Sequence, residues 1–154
     1  MVISVGVPAP DFKLMDETGV SRQLSDYRGH PVVLYFYPKD DTPGCTAEAC
    51  NFRDGYGDYH RAGVVILGIS PDSVKSHAQF KEKYGLPFTL LADEGHKVCD
   101  LYQVWGRKKF MGREYDGVFR TTFVISAEGK IVKVFENVKP EGHSQEVLAA
   151  LQGN

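Results

Sequence analysis

Pro31-Val-Val-Leu-Tyr-Phe-Tyr37-Pro-Lys-Asp-Asp-Thr42-Pro-Gly-Cys45 is the stretch that decides how this chain folds. Val32 to Tyr37 run apolar, β-branched or aromatic with no polar alternation, the signature of a strand buried on both faces. Pro38 ends it, because proline offers no ladder donor. Thr42 then stands where an N-cap belongs and Pro43 at the first helical position, which predicts a helix from Pro43 to about Arg61. Gly55 and Gly57 weaken its second half. A fully buried strand leading within a few residues into a helix is the building unit of a layered α/β domain.

The flanking sequence extends that pattern. Asp11–Met15 and Val20–Leu24 read as two strands around a Glu17-Thr18-Gly19 turn. Gly63-Val-Val-Ile-Leu-Gly-Ile69 is a second buried strand. Ser73 to Tyr84 is a helix opened by Pro71-Asp72 and closed by Gly85, Phe88–Leu91 a short strand, and Val98–Val104 a short helix. Thr121–Ile125 and Ile131–Phe135 flank Ala127-Glu-Gly-Lys130, a second hairpin. Ser144–Leu151 closes the chain as an amphipathic helix. This order predicts one α/β domain, residues 1–154, with a central mixed β-sheet between helix layers. Thioredoxin-like and flavodoxin-like arrangements both accommodate it.

The 154 residues suit a single domain, and 42% hydrophobic with 25% charged residues is an ordinary globular composition. A formal net charge of −2 argues against a nucleic-acid or acidic-membrane surface. No stretch approaches the ~20 apolar residues of a membrane span. Met1–Pro10 carries no basic start and no apolar run, so a cytoplasmic protein is expected. The histidines at 30, 60, 77, 96 and 143 lack ligand spacing, and Cys45 and Cys50 do not form a zinc knuckle. No nucleotide-cradling glycine motif follows a strand. Gly106-Arg-Lys-Lys-Phe-Met-Gly-Arg113 reads as a solvated basic loop that could also help dock a partner.

The three cysteines are Cys45, Cys50 and Cys99, an odd count that makes no disulfide framework. Cys45 falls in the first turn of the predicted helix, where unpaired N–H groups and the helix dipole favour a thiolate. Arg120, at the start of a predicted strand, is the best cation to stabilise charge developing on a leaving group. Glu48, one turn beyond Cys45, could hold that arginine in a bidentate pair. Cys50 lies five residues on. In an intact helix its Cα would be about 8–9 Å from that of Cys45, with the side chains about 140° apart. A disulfide tolerates roughly 7 Å, so any bond between them requires the first turns to unwind. Each residue alone also fits a bland role. Cys45 and Cys50 could be core cysteines, Arg120 a surface strand residue, Glu48 a first-turn acid, and Thr42 with Pro43 a plain helix start.

Pro38-x-x-x-Thr42-x-x-Cys45 matches the peroxiredoxin active-site motif, and Tyr35 to Cys50 resembles the bacterioferritin comigratory protein, or peroxiredoxin Q, branch. The likeness continues through Val65–Ser70, Phe88–Asp93, Val104–Gly106 and Arg120–Ile125. The resemblance implies a thioredoxin-like fold with an N-terminal β-hairpin, and a hydroperoxide-reducing activity without metal, haem or flavin. It makes Cys45 the peroxidatic cysteine and Cys50 the resolving one. Arg120 becomes the active-site arginine and Thr42 the threonine that hydrogen-bonds cysteine and peroxide. Pro38 shields the sulfur, and Glu48 occupies the acidic position after it. It implies thioredoxin as electron donor and a monomer or weak homodimer. A protein disulfide oxidoreductase and a non-enzymatic redox sensor are the rival readings; the first usually uses Cys-x-x-Cys. Cys99 is expected to be a partly buried helix cysteine.

Overall fold

The computed structural model describes residues 3–152, so the two residues at each end of the expected 1–154 domain lie outside the described residues. The elements are β1 Lys13–Asp16, β2 Ser21–Gln23, a 3-10 turn Leu24–Tyr27, β3 Val32–Phe36, α1 Pro43–Asp54, α2 Tyr56–Arg61, β4 Val65–Ser70, α3 Val74–Tyr84, β5 Thr89–Ala92 and α4 Lys97–Leu101. They are followed by β6 Trp105–Phe110, β7 Arg113–Val118, β8 Thr121–Ile125, β9 Ile131–Phe135 and α5 His143–Gln152. Seven strands form one sheet in the order β2-β1-β5-β4-β3-β8-β9. β3, β4 and β5 run parallel, while β8 pairs antiparallel with β3 and β1 antiparallel with β5. The antiparallel β8 beside the central strand settles the arrangement as thioredoxin-like, with the β1–β2 hairpin appended.

β3 shows why its sequence is continuously apolar. Side chains alternate across a strand, so Val33, Tyr35 and Tyr37 enter one core and Val32, Leu34 and Phe36 the other. The first core gathers Cys45, Ala49 and Phe52 of α1, Tyr59 of α2, Phe80 of α3 and Val147 of α5. The second gathers Val98 and Cys99 of α4 with Tyr102 and Phe123. α1 therefore lies on the Tyr35 face, and its N-terminus lies just past the C-terminal end of β3, joined to it by residues 37–42.

Two segments differ from the sequence-based expectation. The helix from Pro43 ends at Gly55 and α2 starts afresh after it; a side chain at Gly55 would collide with Ser144 Oγ at 2.5 Å, so the close approach of α5 requires glycine there. The stretch Gly106–Arg113, expected as a loop, lies in a two-stranded ribbon, β6–β7, in register from Trp105↔Val118 to Phe110↔Arg113. Its charged sequence hides the strand pattern, but Met111 and Gly112 both take positive φ, as a two-residue primed hairpin turn requires. Among the described residues no helix is long and apolar enough to cross a membrane.

Gly68 sits in β4 between Tyr35 of β3 and Leu90 of β5, and a Cβ there would lie 2.9 Å from the Tyr35 ring and 3.0 Å from Leu90. Both neighbours are fully buried. Gly68→Ala is expected to lower stability by about 1–3 kcal/mol, read as a lower urea midpoint; an unchanged midpoint would contradict this packing.

Candidate active site

Cys45 is the third residue of α1. Thr42 has the extended backbone of an N-cap and Pro43 occupies the first helical position, as the sequence predicts. The Thr42 side chain does not cap, however. Its hydroxyl donates to the Lys39 carbonyl at 2.8 Å, which turns the threonine toward its own loop and leaves its oxygen lone pairs to accept. The N–H groups of the first turn have no partners within the helix, so they gather partial positive charge around the sulfur.

Arg120 enters from the residue before β8, the strand antiparallel to β3. Its Nη2 donates to Cys45 Sγ at 3.2 Å and its Nη1 to Glu48 Oε1 at 2.6 Å. One guanidinium therefore spans both side chains, with its fork fixed by the carboxylate. Gly44 makes room for it: a Cβ there would be 3.2 Å from Nη2. Burial works against the charge on Arg120, but the Glu48 carboxylate and the Cys45 sulfur outweigh it and hold the guanidinium above its ordinary range. Lys108 of β6 also faces the site. Burial, and then repulsion from Arg120, pull its ammonium down, with the Cys45 sulfur opposing.

Glu48 is fully buried, and its second oxygen, Oε2, has no hydrogen-bond partner. Burial lifts its carboxyl to about 7, with Arg120 pulling the other way. Oε1 can accept from Arg120 whether the carboxyl is ionised or not. Pro38 is half-buried just beyond β3. Cys50 is a half-buried free thiol on the same unbroken helix as Cys45, five residues on. Cys99 is apart from this group. It is buried against the other face of the sheet, and burial, reinforced by Asp93, pushes its thiol far above the ordinary range. The structure thus brings Cys45, Glu48 and Arg120 together, with Thr42 at the start of the same helix, turned toward Lys39, and Pro38 and Cys50 on the flanking loop and helix.

Sequence reasoning missed Gly44 and a buried polar group beside residues 37–42. His77 is not scattered: its Nδ1 lies 2.7 Å from Asp40 Oδ2, with Asp72 adjoining. No local signal marked it, because Asp40 stands between the exposed Lys39 and Asp41 and His77 lies in a polar helix.

The burial of Glu48 leads to a pH dependence. A carboxyl whose folded pKa is raised contributes stability that is present below its unfolded value, near 4.5, and lost as pH rises through about 7. A glutamine in its place would lack this loss. In urea titrations Glu48→Gln is expected to gain on the natural protein by at most roughly 3 kcal/mol between pH 4.5 and 8. A gap that stays constant with pH would contradict the buried, half-titrated carboxyl.

Residues 5–134 match the AhpC/TSA family. The putative peroxiredoxin bcp of Coxiella burnetii is 53% identical over 151 residues, covering 98% of this chain and 100% of that protein. Peroxiredoxin Bcp of Bacillus subtilis is 48% identical over 152 residues, 99% of this chain and 97% of that one. Among solved structures, a cysteine-to-serine mutant of Xylella fastidiosa PrxQ superposes with a TM-score of 0.94 at 34% identity, covering 99% and 98% of the two chains. The bacterioferritin comigratory protein of Xanthomonas campestris, studied for alkyl peroxide reduction, superposes at 0.90 with 38% identity, covering 97% and 98%. With the thiol, the guanidinium and the buried carboxyl in one cluster and these relatives matching nearly end to end, the chain belongs to the AhpC/TSA family as a peroxiredoxin of the Bcp/PrxQ kind.

Proposed function

We propose that Cys45 is the sulfur that attacks the hydroperoxide and Cys50 the thiol that resolves the product. The observation that carries this reading is the Arg120 bridge: one cation donates to Cys45 Sγ while a buried carboxylate fixes its other arm. The sulfur attacks the distal peroxide oxygen, the S–O bond forms as O–O breaks, and the leaving oxygen takes a proton to depart as water or alcohol. Cys45 becomes a sulfenic acid. The charge that develops on both oxygens lies beside Arg120 and the first-turn N–H groups, a preorganised electrostatic site. The Thr42 oxygen, its own proton engaged by Lys39, is free to accept from the peroxide O–H. Pro38 limits water at the mouth, and Glu48 positions Arg120.

The Cys50 thiol then displaces hydroxide from the sulfenic acid, releasing water and closing a Cys45–Cys50 disulfide. Both residues lie on the continuous helix α1, so the geometry of an intact helix forbids that bond. The first turns must unwind. The far half of α1 is tied down, since Asn51 Oδ1 accepts from the Ser144 N–H at 2.6 Å and so caps α5. The unwinding therefore falls on the turns between Pro43 and Cys50. An external dithiol protein then reduces the disulfide and restores both thiols; thioredoxin itself as donor, a cytoplasmic setting, a single domain over 1–154, and a monomer or weak homodimer are the finer parts of this reading.

Cys45→Ser is expected to abolish peroxide consumption driven by thioredoxin and its reductase. Cys50→Ser should consume one equivalent of peroxide per chain and then stall with thioredoxin alone. Sustained turnover by either variant would remove the role assigned to that residue.

A further inference from the structure

We infer that His77, through Asp40, is a positioning residue for the peroxide step, bracing the loop that carries Pro38 and Thr42; this rests on Cys45 being the attacking sulfur. The residues of α3 that face the loop form one stripe: Ser76, His77, Phe80, Lys83 and Tyr84, at the spacing of a single helical face. None of them belongs to the Arg120 cluster. All but Phe80, which packs 6.4 Å from the Tyr37 ring, make polar contacts to residues 40 and 41.

Asp40 is the centre of these contacts. Its Oδ1 accepts from the Tyr37 hydroxyl at 2.6 Å, and its Oδ2 accepts from Ser76 Oγ at 2.8 Å and faces His77 Nδ1 at 2.7 Å. Its backbone N–H donates to Asp72 Oδ2 at 2.8 Å, an oxygen that also accepts from Ser70 Oγ at 2.6 Å. His77 is fully buried, and its Nε2 faces the Leu91 carbonyl of β5 at 2.9 Å. A carbonyl only accepts, so the Nε2 contact assigns a hydrogen to that nitrogen, and Nδ1 stands within hydrogen-bond reach of Asp40 Oδ2. The imidazole is thus a strut from the β5 backbone to Asp40. The neighbouring residue, Asp41, sits at φ 57 and is held by Lys83 and the Tyr84 hydroxyl.

The carboxylates of Asp40 and Asp72 with His77 would suit a cation by proximity, their ligand atoms lying within 4.8 Å. Hydroxyl and amide donors already occupy both oxygens of Asp40 and Oδ2 of Asp72, and both imidazole nitrogens face protein oxygens, so these contacts tie the loop to α3 and β5 as a brace. The brace has a mechanical task. When α1 unwinds for the disulfide and refolds after reduction, Thr42 must hold its place for the pocket to re-form. A displacement of about 1 Å in a reacting constellation can cost on the order of 100-fold in rate.

The test measures Cys45 oxidation by hydrogen peroxide in a single turnover, by quenched flow and intact mass, on the full chain. His77→Phe keeps the ring volume and loses both polar contacts; it should oxidise at least about tenfold more slowly, while dithiothreitol reduces its Cys45–Cys50 disulfide at the natural rate. His77→Asn retains a donor near Nδ1 and loses the Leu91 contact; it should recover most of the oxidation rate although its urea midpoint falls. Ser76→Ala, which removes only one donor and keeps the fold if His77→Phe does not, should slow oxidation about threefold. Natural oxidation rates in folded His77→Phe or in Ser76→Ala would overturn the inference, as would a His77→Asn as slow as His77→Phe. A Cys45→Ser protein that still consumes peroxide would instead overturn the reading beneath it.

Discussion

A guanidinium that must stay charged while partly buried between a carboxyl and a sulfur is the constraint around which this molecule is arranged. Arg120 cannot shed its proton, and taking it out of water is costly unless its donors are met. Glu48 meets one arm and Cys45 the other. The carboxyl bears part of the burden, because one of its oxygens is buried without a donor and its ionisation is pushed to about 7. The site therefore stores unfavourable burial in two groups to present one directed cation to the sulfur.

The fold supplies the two rigid supports this needs. β3 and β8 are neighbours in the sheet, so the loop after β3 and the residue before β8 meet at one edge of the Tyr35 core. β3 leads through residues 37–42 to α1 and so sets Cys45 and Glu48, and β8 sets Arg120. In the proposed cycle α1 is the element that moves, and its far end is held where Asn51 accepts from the Ser144 N–H of α5. The loop at its near end is held by the polar contacts of α3. On the proposed reading the strands do the positioning and the first turns of α1 do the resolving.

Much of this was legible in the sequence because it is local. The unbroken apolar run of β3, the Thr42-Pro43 helix start and the placement of Cys45 and Glu48 one turn apart are short-range signals. Arg120 was readable as a strand-start cation, though its contact with Cys45, 75 residues away, is not a property of either segment. The rest failed for physical reasons. β6 and β7 pair with each other outside the main sheet, so charged residues replace the apolar alternation that marks a strand. The crowding of Gly55 by Ser144 joins residues 89 positions apart, and the Asp40–His77 pair joins segments 37 residues apart. Thioredoxin-like and flavodoxin-like orders were separable only once β8 was seen to run antiparallel to β3.

The most direct test of the central claim is the second-order rate constant for oxidation of Cys45 by hydrogen peroxide in an Arg120→Met protein. Methionine fills much of the same space without a charge or a donor. The account predicts a fall of at least about 100-fold, the loss of a preorganised donor to developing charge, in a protein that remains folded. A folded Arg120→Met protein that reacts within twofold of the natural rate would contradict it.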